Sequence, residues 1–230
     1  MKRVLILAAI TFVTISFVNA QSLAPLSKRQ HYVDLSAGFG SSQAGIVAGY
    51  FHNWHFGKKN RLFIGTGVRF NSYFGSDINF LSAPSDLASE ESKTDTLAVP
   101  KSNIFATNVL INLGYSFNSR LQAGFNIDLI GFSLGSEKTA SFIANGSTTP
   151  AKAKPTGFNL LLVGNNDIGT LNSEFYLRYR ISPKIGIKAA YQYFFAELKT
   201  DTKVQTIPEK NDRFRNKASL FNVGISYFFN

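Results

Sequence analysis

Seven charged residues could do chemistry only if something pairs them: Asp34, Asp128 and Glu174 against Arg69, Arg178, Arg180 and Lys188. Each lies in a run whose alternate residues are mostly apolar, on the opposite, polar side of that run. Charges facing a low-dielectric interior must be paired and hydrogen-bonded. Two readings follow: a plug of ion pairs filling a closed interior, which is favoured, and a gated passage or small-ligand site lined by charge. The three histidines, His31, His52 and His55, are the other candidates. A hydrolase needs a nucleophile beside a base, and no such spacing accompanies them. They also lack a convincing third metal ligand. Gly38-Phe-Gly40 lacks the following helix and acidic residue of a dinucleotide fingerprint. No catalytic, cofactor-binding or metal-ligating residue is therefore expected.

The elements that position these charges are strands with period-two alternation. From Leu171 to Ile181, Leu171, Ser173, Phe175, Leu177, Tyr179 and Ile181 share one face, opposite Asn172, Glu174, Tyr176, Arg178 and Arg180. Like patterns run over 33–40, 62–71, 105–117, 121–129, 185–193 and 221–229, and 44–54 is strand-like with ambiguous facing. That makes eight candidates, many of about ten residues or more, where soluble strands usually run about five or six. Ten tilted residues is roughly the span a bilayer requires. In a membrane barrel the apolar side meets lipid and the polar side fills the interior. Glycines on the polar side suit a narrow interior.

The ends and connections agree with that reading. Lys2 and Arg3, an apolar run over 4–18 and Val18-Asn19-Ala20 predict a cleaved signal peptide at 1–20. The remaining 210 residues, 21–230, form one predicted barrel domain. The chain has no cysteine and hence no disulfide framework. With Lys2 and Arg3 removed, 22 basic residues stand against 14 acidic ones. Export and the lack of a basic recognition motif argue against nucleic acid. Connections alternate: short at 55–60, 118–119 and 182–184, long at 72–102, 136–170 and 199–217, with a short first one at 41–43. Short inner turns and long outer loops are the bacterial barrel layout, with both termini in the periplasm. The short-turn side carries Lys28, Arg29, Lys58, Lys59, Arg61, Arg120 and Lys184 without an acidic residue, which suits anionic lipid headgroups. Trp54, Tyr115, Phe117, Tyr179, Tyr227 and Phe229 are expected at the inner interface, and Tyr73, Phe105, Tyr193 and Phe195 toward the outer one. The apolar run over 157–163 is too hydrophobic for an ordinary loop. Its readings are an extension of an outer hairpin, which is favoured, a segment tucked inside, and part of a ten-strand arrangement.

The signal peptide, the eight-strand pattern and the closing Asn222-Val-Gly-Ile-Ser-Tyr-Phe-Phe229 resemble the small outer-membrane barrels of the OmpA/OmpX/OmpW type. Within these the chain is most similar to the "outer membrane protein beta-barrel domain" group of Bacteroidetes. The resemblance covers essentially the whole mature chain through pattern rather than invariant motif. It implies an all-β, eight-stranded antiparallel transmembrane up-and-down barrel in the outer membrane. It also implies a terminal aromatic read by the barrel-assembly machinery, from which the chain departs in ending Phe229-Asn230. It implies no activity. The expected role is structural or interactive, through the long outer loops. A narrow transporter or ligand-binding barrel using the interior charges is the alternative, and a lipid-modifying hydrolase a remote third.

Overall fold

In the computed structural model, residues 26–163 and 166–229 are described; the signal segment expected at 1–20 lies outside them. They form eleven strands: β1 (Arg29–Gly40), β2 (Gln43–Phe56), β3 (Leu62–Ser82), β4 (Thr96–Ser116), β5 (Leu121–Leu134), β6 (Lys138–Ala144), β7 (Ser147–Pro155), β8 (Phe158–Leu160), β9 (Leu171–Arg180), β10 (Ile185–Thr200) and β11 (Arg213–Phe228). A one-turn helix α1 (Ser85–Ala88) and a 3-10 turn (Glu91–Lys93) cap the β3–β4 connection.

Eight strands close an antiparallel up-and-down ring in the order β1-β2-β3-β4-β5-β9-β10-β11, and β11 pairs back onto β1 from Tyr32↔Phe228 to Phe39↔Phe221. Arg29 and Phe228 therefore lie at the same end, beside the short turns. Through this lower ring the alternation holds as the sequence suggests. Leu35, Val68, Leu113, Leu177 and Ile225 are exposed on the outside, while Asp34, Arg69, Asn112, Arg178 and Ser226 are buried inside.

The long-loop end departs from expectation. Much of the connection expected at 72–102 is strand, because β3 and β4 continue as a paired ladder to Leu81↔Thr96. The connection expected at 136–170 contains β6, β7 and β8, and β11 begins inside the one expected at 199–217. Above the tip of the short β1–β2 hairpin, β11 pairs directly with β3 through Phe214↔Ser82 and Arg215↔Leu81. On the far side β6 pairs with β4, β7 with β6, and β7 with β10. These contacts close a second, six-stranded ring, β3-β4-β6-β7-β10-β11, stacked on the first.

The two rings are filled differently. The upper interior is one apolar cluster including Ile78, Phe80, Leu97, Phe142, Leu198 and Phe214, and every buried residue in it comes from those six strands. Tyr73, expected at the outer interface, is buried in this cluster, because odd-numbered residues of β3 face inward at that level. Its hydroxyl donates to Gln43 at 2.6 Å. Asp77, in the left-handed region at φ 54°, stands opposite Pro100, and the inward phase of both strands shifts there. Proline supplies no ladder N–H, so the pairing yields at that point without ending.

The apolar stretch at 157–163 resolves into β8 and a loop. β8 continues the β5 edge above β9, pairing Phe132↔Phe158 and Ile130↔Leu160. Phe158 points outward beside Phe132 and Asn159 points inward, fully buried. The segment thus completes the wall rather than adding ninth and tenth spanning strands, and Val163 beyond it is 91% exposed.

Candidate functional site

Six of the seven charges singled out in the sequence meet inside the lower ring. They come from β1 (Asp34), β3 (Arg69), β5 (Asp128), β9 (Glu174, Arg178) and β10 (Lys188), and all are nearly inaccessible. Arg69 donates to Asp128 through Nε at 2.9 Å and Nη2 at 2.5 Å, and to the Asn172 carbonyl at 2.6 Å. The second Asp128 oxygen accepts from Asn108 Nδ2 at 2.7 Å and the Asn172 backbone N–H at 3.0 Å. Arg69 also donates to Asn126, whose amide donates to Glu174 at 3.1 Å. Glu174 accepts from Lys188 at 3.1 Å, and Lys188 lies 3.3 Å from Asp34. Asp34 closes the chain by accepting from Arg178 at 2.6 Å, and Arg178 Nε donates to Ser226 at 2.8 Å. The run holds three cations and three anions and is formally neutral.

A bulge in β5 opposite Val109–Leu110 sets part of this geometry. It leaves Leu129 without a partner on β4 and shifts the inward face from Asn126 and Asp128 before it to Gly131 and Ser133 after it. Such an extra residue re-aims the side chains that follow it. Toward the turn end, the Arg178 guanidinium lies 4.1 Å from the Tyr32 ring centroid and 4.7 Å from that of Tyr176. Tyr32, Phe51, Leu110 and Phe228 pack beneath it as a small apolar floor.

Arg180, the seventh charge, is a correction: it does not join the network. It lies beyond Arg178 at the end of β9, half-buried, over the Phe228 ring at 4.1 Å, and donates to the Pro183 carbonyl. Neighbouring strands there give way to a turn, and among the described residues no carboxylate pairs with it.

Sequence reasoning missed a second charged cluster, on the outer face of the upper ring. Glu197, fully buried, accepts from Arg213 at 2.9 Å and from Arg215 at 2.8 Å, and both arginines also donate to the Asp167 carbonyl. The Gly169 N–H donates to the same carboxylate at 3.1 Å. The available signal was Phe214, Ala218 and Leu220 alternating with Arg213, Arg215 and Lys217. That continues β11 upward with the polarity of its faces reversed.

The histidines sit at the turn end of β1 and β2. His31 and His52 are cross-strand partners with ring centroids 4.1 Å apart, and His55 Nδ1 lies 2.9 Å from the Asn60 carbonyl. Among the described residues no group of three or more His, Cys, Asp or Glu side chains could hold a metal ion. No helix of the described residues is long and apolar enough to cross a membrane.

No protein-family model matches the chain, and neither does any curated protein. Solved structures do align with it. Neisserial surface protein A is 14% identical over 87% of this chain and 97% of its own, with a TM-score of 0.39. Ail, the attachment invasion locus protein of Yersinia pestis, is 11% identical over 89% of this chain and 100% of its own, also at 0.39. The N-terminal β-barrel domain of Pseudomonas aeruginosa OprF is 7% identical over 87% and 97%, at 0.36. These neighbours are outer-membrane barrels at low identity, so the architecture rests on the strand register itself. The Bacteroidetes resemblance stays at the level of sequence pattern.

Proposed function

We propose that the chain is a closed outer-membrane barrel whose lower ring spans the bilayer and whose upper ring is an interaction platform outside the cell. The observation that carries this is the reversal of polarity along continuous strands. The lower ring is apolar outside and polar inside, as lipid demands; the upper ring is polar outside and apolar inside, as water demands. At about 3.3 Å per residue and about 40° of tilt, a strand of roughly twenty residues rises about 50 Å, well beyond a hydrocarbon layer of about 30 Å. β3 and β4, at 21 residues each, fit that double span. Both termini then lie in the periplasm, and bilayer lipids and the barrel-assembly machinery are the expected partners.

A transporter reading is less well supported. A solute passing through would have to part the Arg178–Asp34 and Arg69–Asp128 pairs and then an apolar core with no polar path. Eight strands leave an interior about wide enough for side chains, and here side chains fill it. No catalytic step is part of the proposal. The test is conductance of the refolded barrel in a planar bilayer. Current indistinguishable from a protein-free membrane is the expected result; discrete openings in the wild-type chain would overturn the closed-barrel reading.

A further inference from the structure

Because the wall drops from eight strands to six where the β1–β2 hairpin ends, a step is left on the outside of the barrel. A cavity of about 540 Å³ opens there, beside the hairpin tip. Resting on the membrane reading above, we infer that this step holds the phosphate-bearing headgroup of an outer-leaflet lipid. Three observations converge on it. The first is depth. The cavity base includes Phe74, exposed on the apolar outer face and packed edge-on against Phe105 at 6.3 Å. Ser76 and Lys101, cross-strand partners next above Phe74, line its upper part. Aromatic rings at that position mark the boundary between acyl chains and headgroups.

The second is charge. Lys101 and Lys138 both line the cavity, and no carboxylate does. Three other lysines near this end are paired with carboxylates: Lys93 with Glu90, Lys152 with Glu137 and Lys199 with Asp212. Among the described residues Lys101 and Lys138 form no ion pair; Lys138 is held only by the Ser136 hydroxyl at 2.7 Å. An ammonium has three donors, so that contact leaves protons for a ligand. The third is the set of neutral partners, since Ser42, Ser76 and Asn103 share the lining. Two unneutralised cations with hydroxyl and amide donors match a phosphate monoester of charge about −1.5 to −2.

The test uses the folded chain in zwitterionic detergent micelles doped with monophosphoryl lipid A or its dephosphorylated counterpart, with retained lipid read by native mass spectrometry. The wild type should retain the phosphorylated lipid about tenfold better than the dephosphorylated one. Lys101→Gln with Lys138→Gln should remove most of that preference, and Lys58→Gln with Lys59→Gln at the opposite end should leave it intact. Equal retention of the two lipids, or a preference that survives the Lys101/Lys138 pair, overturns the proposal. Displacement of the lipid by millimolar inorganic phosphate also overturns it, since the step would then be a soluble-anion site. A heat-dependent gel shift is followed in parallel for every variant. Its absence from the wild type would mean that the membrane reading, not the headgroup site, had failed.

Discussion

On β10 and β11, Gln192 and Asn222 hydrogen-bond inside the lower ring at 2.6 Å. Two residues further along the same two inward faces, Phe194 and Leu220 belong to an apolar core. The backbone ladder between β10 and β11 is continuous through both places. What changes is the solvent outside the wall, and each side-chain set answers it. In the lower ring the favourable surface is given to lipid, so the interior must satisfy its own polar groups. In the upper ring water takes the outer face, and burial of Phe80, Phe142 and Phe214 supplies the driving force. One strand can thus belong to two cores that are held together by opposite physics.

The sharpest way to break the comparison is to remove one partner from the lower core. Asp128→Ala leaves the Arg69 guanidinium buried, with only amide and carbonyl acceptors. An uncompensated buried charge costs about 3–5 kcal/mol. The urea midpoint of the gel-shift transition should fall accordingly, whereas Arg69→Met with Asp128→Leu should recover most of the loss. If the single and double variants are equally unstable, the pair is not acting as a charge pair.

The matching cut in the upper core is Phe214→Ala, which removes a ring from an apolar cluster at about 3–5 kcal/mol. Its consequence should differ in kind. The six-stranded ring should loosen and admit protease at 83–95 and 201–212, while the eight-stranded ring keeps its heat-dependent gel mobility. Loss of both rings together would show that they fold as one unit.

The lower ring was largely legible in the sequence, because a lipid-facing wall imposes strict alternation over long runs. Six of the interior charges were legible for the same reason: Asp34 and Arg178, 144 residues apart, were each on the polar side of a clear strand. The upper ring was not, since its rule is inverted. Phe194, Ala196 and Leu198 continue the face of Lys188 and Gln192, so a reader tracking apolar-out alternation stops at Tyr193. On β3 and β4 the phase shift at Asp77 and Pro100 breaks the count as well. β7 contains Pro150, and its first residues pair only with β6, so it carries little strand signal of its own. Arg180 was misassigned because alternation gives a face but not a height: it lies at the turn level, where among the described residues its partners are the Phe228 ring and the Pro183 carbonyl rather than a carboxylate.

Smaller substitutions on the outer face sharpen the contrast. Val68 is exposed on the lower ring, midway between Leu62 and Phe74. Val68→Arg should cost about 2–4 kcal/mol in a bilayer, the range for a cation near the midplane on the lipid side. Asn79, exposed on the same strand within the upper ring, should accept Arg within about 0.5 kcal/mol, because a surface cation in water needs no partner. Measured by urea titration in lipid vesicles, the two substitutions differ only in the solvent their positions face. A cost for Asn79→Arg close to that of Val68→Arg would place the upper ring in the membrane and remove the basis for treating the two rings as cores of opposite kind. A negligible cost beside a large one would locate the water boundary between Phe74 and Asn79, where the β1–β2 hairpin stops pairing with β3 at Gln43↔Gly75.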